Sequence, residues 1–214
     1  MRKPINPFTI VGLLIVLGFP IILIFVRRII GHSSVALIAE GECAIWAIFG
    51  IVLCIAAYIE KEPILFTTNG MGALKTTGLV VFTMVSMFLL IVGYRLFYKF
   101  VLKAVPPHEN MMAVMLKYPN WLKMLICIRA GVVEETFFRA YAMSRILSLT
   151  NNRFLAFIIP LVAFGAGHFA YGTLNHIIMA FLLGLVLALY YLKTKNLLSN
   201  IIAHTLYDIL GMIR

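Results

Sequence analysis

Two adjacent carboxylates and a guanidinium stand inside an apolar run. Residues 131–140 read GVVEETFFRA, with Glu134, Glu135 and Arg139 among them. A charge at mid-bilayer costs at least about 2.5–3.5 kcal/mol on insertion scales, so each such residue is expected to have a partner and a task. Glu135 and Arg139 are four apart. They share a helix face, which predicts a structural ion pair. Glu134 is rotated by about 100° from Glu135 on a 3.6-residue helix and points elsewhere. Arg129, five residues away, is poorly aligned for Glu134 on such a helix. Glu134 is therefore expected in an apolar pocket, poised as a general base.

Histidines supply its expected company. His168 closes FGAGH (residues 164–168), and His204 opens HTLYD with Asp208 four residues on. A rise of about 1.5 Å per residue puts Glu134, His168 and His204 within one or two turns of each other in depth, and puts His204 and Asp208 on one face. Gly165 and Gly167 would let helices approach closely there. The expected catalytic cluster is Glu134, His168, His204 and Asp208, with Glu135 and Arg139 as support. Glu134, His168 and His204 also make a conceivable three-ligand zinc site. They would come from three separate spans, without an HExxH on one helix, so the metal-free, cofactor-free reading is preferred. His176 has no motif and reads as structural or interfacial, while His32 and His108 read as loop residues. Cys43, Cys54 and Cys127 have no paired spacing and read as small buried hydrophobes, neither disulfides nor thiolate ligands.

The elements that must position this cluster are apolar helices. The chain has 214 residues, of which 63% are hydrophobic and only 12% charged, against about 25% charged in soluble domains. Its mean hydropathy is +1.02. That composition is polytopic-membrane in kind and predicts an all-α bundle. The formal charge of +10 does not indicate nucleic acid. The bases flank apolar runs, as in Arg27-Arg28, Lys193 and Lys195, which is the pattern of loops between membrane helices.

Seven spans are predicted, near residues 9–26, 41–59, 78–98, 122–143, 154–169, 174–192 and 197–213. The first resembles a signal peptide, but no small-residue cleavage site follows, so it is kept as a span. A connector, residues 101–121, holds Pro106-Pro107, which break any helix; residues 111–116 within it suit a short interfacial piece. Five acids, Glu40, Glu42, Glu60, Glu62 and Glu109, are expected at or beyond span ends. Positive charge is comparable on both sides, so orientation is left open. Residues 1–121 read as N-terminal membrane helices with the connector, and residues 122–214 as a catalytic four-helix core, in one integrated domain.

Taken together, Glu134-Glu135-Thr136-Phe137-Phe138-Arg139, then Phe164 to His168, then His204 to Asp208, resemble the motifs EExxxR, FxxxH and HxxxN or HxxxD of the CAAX protease and bacteriocin-processing family. Its members are intramembrane glutamic endopeptidases related to the type II CAAX prenyl endopeptidase. The segment YYLKTKNLLSNIIAHTLYD is similar to the family's final hairpin. The resemblance covers residues 122–213. It implies that Glu134, assisted by His168, activates a water that attacks a peptide carbonyl. It further implies that His204 with Asp208 stabilises the oxyanion and that Arg139 locks Glu135, with no metal required. Two positions depart from the pattern. Ala140 stands where many members have glycine, a packing difference. Asp208 stands where the prenyl endopeptidases have asparagine, which points to the wider family more than to prenyl-protein processing.

The function expected is an intramembrane endopeptidase in the cell membrane of a prokaryote. It would act on a membrane-associated peptide or protein, lipidated or carrying a leader, in contact with lipid and without nucleic acid. The alternatives are a zinc protease using the same residues, or a non-enzymatic membrane protein. The latter would be a bacteriocin-immunity factor or a proton-coupled carrier; a carrier would more often show an internal repeat, and none is visible.

Overall fold

The computed structural model describes residues 6–30, 35–103, 115–171 and 173–212. It is built of helices, with no strand among the described residues. Helix α1 spans Pro7–Ile30. Helix α2 spans Val35–Cys54 and runs on through a π turn, Ile55–Ile59. Helix α3 spans Ala73–Phe100. The fourth rod is composite: α4 (Asn120–Arg129), a π segment (Ala130–Ala142) and α5 (Met143–Thr150). Helix α6 spans Arg153–Gly167 and ends in a 3-10 turn, His168–Tyr171. Helices α7 (Leu174–Thr194) and α8 (Leu197–Met212) complete the chain's described part.

These seven rods form a helical bundle, as the apolar runs predict. Val35–Ile59, Ala73–Phe100 and Leu174–Thr194 are long and apolar enough to cross a membrane. Large apolar side chains cover the outside of α3, among them Phe82, Leu89 and Phe100, all more than half exposed. In water such a surface would be unfavourable; in a bilayer it is the solvated face.

Two boundaries differ from expectation with consequences. Helix α2 starts at Val35, because Val35-Ala36-Leu37-Ile38-Ala39 extends the apolar run upstream. Glu40 and Glu42 therefore lie inside the helix, and Glu42 is buried, a correction to its expected place at a span end. Glu60 does stay just beyond α2, yet it is tied down: Arg145 Nε donates to its Oε2 at 2.8 Å and Tyr141 Oη to its Oε1 at 2.7 Å. The Pro106-Pro107 break, His32, His108, Glu109 and residues 111–114 of the proposed interfacial piece lie outside the described residues.

Short polar hairpins set the register of the last three helices. Asn152 accepts from the backbone N–H groups of Phe154 and Leu155 at 2.9 and 3.1 Å, capping α6. Thr173 caps α7 through the His176 N–H, and Asn196 caps α8 through the Ser199 N–H at 2.9 Å. The turns enter through Asn151 and Lys195, both left-handed.

Gly131 fixes how closely the π segment and α8 approach. A Cβ there would stand 2.0 Å from Thr205 Oγ1 and 2.8 Å from the Ile201 carbonyl. Only glycine admits that contact, and the contact brings α8 against the residues of the opening motif.

Candidate active site

The opening motif does not sit on an ordinary α-helix. Residues 130–142 form a π-helix, whose i→i+5 hydrogen bonds widen each turn. In the wider turn a residue five positions back comes onto the same face. Arg129 Nη1 accordingly donates to Glu134 Oε1 at 2.7 Å. This corrects the expectation that Glu134 lacks a cation; the misalignment argument assumed 3.6 residues per turn. Arg129 Nε donates in turn to Glu42 Oε2 at 2.8 Å. One buried guanidinium thus joins two carboxylates, one from α2 and one from the π segment.

Glu135 is wholly buried. Its Oε1 lies 3.0 Å from Arg139 Nη1, the predicted i,i+4 pair, in ion-pair contact though off hydrogen-bond alignment. Arg139 is anchored twice more. Its Nη2 donates to the Gly184 carbonyl at 3.0 Å, and its guanidinium lies 4.4 Å over the Phe164 ring. Gly184 permits this, since a Cβ there would meet Phe164 at 2.7 Å and Arg139 at 3.2 Å.

Glu135 does more than hold Arg139. His204 Nδ1 lies 2.8 Å from Glu135 Oε1, and Asn200 donates to Oε2 at 3.1 Å. A carboxylate only accepts, so Nδ1 carries the proton. Asp208, expected to act with His204, faces its Nε2 through Oδ2 at 3.6 Å, beyond hydrogen-bond length, and keeps 29% of its side-chain surface. The four-residue spacing does put the two on one face; the π segment, drawn in by Gly131, supplies the closer acceptor.

His168 sits where α6 gives way to its 3-10 turn, with Nδ1 2.9 Å from the Phe164 carbonyl. That carbonyl only accepts, so Nε2 is the ring's basic nitrogen. Phe164 is the hub of the arrangement. Its ring packs 5.0 Å from His168, 6.2 Å from His204 and 5.4 Å from Phe138, centroid to centroid. His176, read from sequence as structural or interfacial, stacks on His168 with centroids 5.6 Å apart and planes 22° from parallel.

The sequence-predicted residues therefore gather at one place. Glu134 lies within electrostatic range of His168, His204 and Asp208. The two adjacent carboxylates differ in access: Glu134 keeps 11% of its side-chain surface and Glu135 none. Among the described residues, no group of three or more His, Cys, Asp or Glu side chains is arranged to hold a metal ion.

Two participants, Asn200 and Glu42, were missed from sequence, and Arg129 was weighed and set aside. Asn200 lies four residues before His204, the same spacing that flagged Asp208, and that spacing was its available signal. Arg129 was set aside on 3.6-residue geometry, which the π turn overturns, and Glu42 left no signal without the true start of α2.

Residues 117–210 match the family model described as Type II CAAX prenyl endopeptidase Rce1-like. No curated protein and no solved structure matches the chain. The matched stretch holds Glu134, Glu135, Arg139, His168, His204 and Asp208, in the order and arrangement just described. Over this stretch the chain is similar to the Rce1-like type II CAAX prenyl endopeptidases.

Proposed function

We propose that the protein is an intramembrane endopeptidase that hydrolyses a peptide bond of a membrane-associated peptide or protein with a glutamate-activated water. The observation that carries this reading is the split between two neighbouring carboxylates. Glu135 is sealed and committed to Arg139, His204 and Asn200. Glu134 is held through one oxygen, Oε1, and keeps surface beside the histidines.

In the proposed reaction, Glu134 takes a proton from water as the oxygen adds to the scissile carbonyl carbon. His168 Nε2 orients that water. As the imidazolium, held by Glu135 at Nδ1–H, His204 donates Nε2–H to the developing oxyanion, and Asp208 beside Nε2 supports that cation. Glu134 then returns its proton to the leaving amine as the C–N bond breaks. The new carboxyl and amine termini account for all atoms of the water. Every step uses side chains alone and needs no metal.

Comparison of the membrane peptides that accumulate in cells carrying wild-type protein and in cells carrying Glu134→Gln protein at equal level tests the reading. The expected result is a set of uncleaved peptides unique to the variant. Identical peptide pools would contradict it.

A further inference from the structure

We propose that Glu42, on α2, is a positioning residue of the active centre: through Arg129 it holds the Glu134 carboxylate in its working orientation. The inference rests on the glutamate-protease reading above and extends it outside residues 117–210.

The geometry is a relay of two short charged contacts. Glu42 Oε2 accepts from Arg129 Nε at 2.8 Å, and Arg129 Nη1 donates to Glu134 Oε1 at 2.7 Å. Glu42 is 5% exposed and Arg129 2%, so water does not screen either contact appreciably. A guanidinium is a rigid planar fork. Fixing its Nε end on Glu42 fixes the direction in which Nη1 points. A base must lie within hydrogen-bond reach of the proton it takes, and a misplacement of about 1 Å costs about 10²-fold in rate.

Charge gives Glu42 a second effect: it divides the Arg129 guanidinium between two carboxylates. A lysine cannot replace Arg129, because a point charge does not hold two carboxylates at a fixed angle.

The position of Glu42 also explains why an acid is retained inside a helix otherwise made of VALIAEGECAIWAIFGIVLC. An ionisable residue inside an apolar helix is costly, and the contact with Arg129 gives Glu42 its task.

The test measures kcat and KM for purified wild type, Glu134→Gln, Glu42→Gln, Glu42→Asp and Arg129→Lys on a substrate peptide in detergent, with melting temperatures alongside. The expected result is a kcat lower by about 10²-fold in Glu42→Gln and Arg129→Lys, with KM within about twofold of wild type and part of kcat regained in Glu42→Asp. If Glu42→Gln fails to fold, the double variant Glu42→Gln, Arg129→Gln, which removes one charge of each sign and leaves Glu134 its partly exposed side, is expected to fold and to show the same kcat loss. Full kcat in Glu42→Gln or in the double variant, with Glu134→Gln inactive, would overturn the positioning role alone. Wild-type turnover in Glu134→Gln would overturn both the role and the reading on which it rests.

Discussion

Glu135 Oε1 and His204 Nδ1 lie 2.8 Å apart, although the residues are 69 positions apart in sequence. The carboxylate that pairs with Arg139 therefore also orients the histidine proposed to face the oxyanion. Structure and chemistry meet in one side chain, and substitutions can separate them.

Glu135→Leu and Arg139→Met should each lower the yield of folded protein. Each leaves a buried charge without its partner, a loss of about 3–5 kcal/mol. The double variant Glu135→Leu, Arg139→Met removes both charges and should recover much of the folding. It should not recover turnover, because His204 then has no acceptor at Nδ1. Thermal melting in detergent read beside peptide cleavage checks this, and strictly additive stability losses would remove the pair.

Asp208 keeps 29% of its side-chain surface and stands 3.6 Å from His204 Nε2. Asp208→Asn should be tolerated in part, since an amide oxygen can also accept. Asp208→Leu should lose about 10²-fold in kcat, as when an oxyanion donor or its support is removed. His204→Leu should be as damaging, and the two together should add little, because residues that act as a unit are not additive. Full activity in Asp208→Leu would restrict the constellation to Glu134, His168 and His204.

Gly131→Ala should push the π segment away from α8, since the new Cβ would meet Thr205 Oγ1 at 2.0 Å and the Ile201 carbonyl at 2.8 Å. Overpacking of this kind costs about 1–3 kcal/mol. Thr205→Ala in the same chain should relieve only part of the loss, because the carbonyl remains. Melting temperatures of the single and double variants decide between partial and full relief.

Cleavage should survive thorough chelation, and elemental analysis of the purified protein should find no stoichiometric zinc. One zinc per chain, with activity lost on chelation and restored by added metal, would favour the zinc protease instead.

Much of this was legible in the sequence, for physical reasons that differ by residue. The seven helices follow from runs of apolar residues, and the Glu135–Arg139 contact follows from a four-residue spacing that π geometry does not abolish. The gathering of His168, His204 and Asp208 near Glu134 follows from depth counted along helices. What stayed hidden depends on local winding and on packing between distant elements. Arg129 reaches Glu134 only because residues 130–142 are π-helical, and no short spacing rule announces that. Glu42 reaches Arg129 only across α2 and α4. Glu135 reaches His204 Nδ1 only across the close approach of the π segment and α8 at Gly131.

The most direct test of the central claim is the rate at which purified Glu134→Gln cleaves a peptide that the wild type cleaves. The amide keeps the shape of the side chain and its place beside Arg129, and removes the base. The account predicts a correctly folded protein whose turnover falls below a few per cent of wild type. Turnover above that level, in protein with a wild-type melting temperature, would show that Glu134 is not the base.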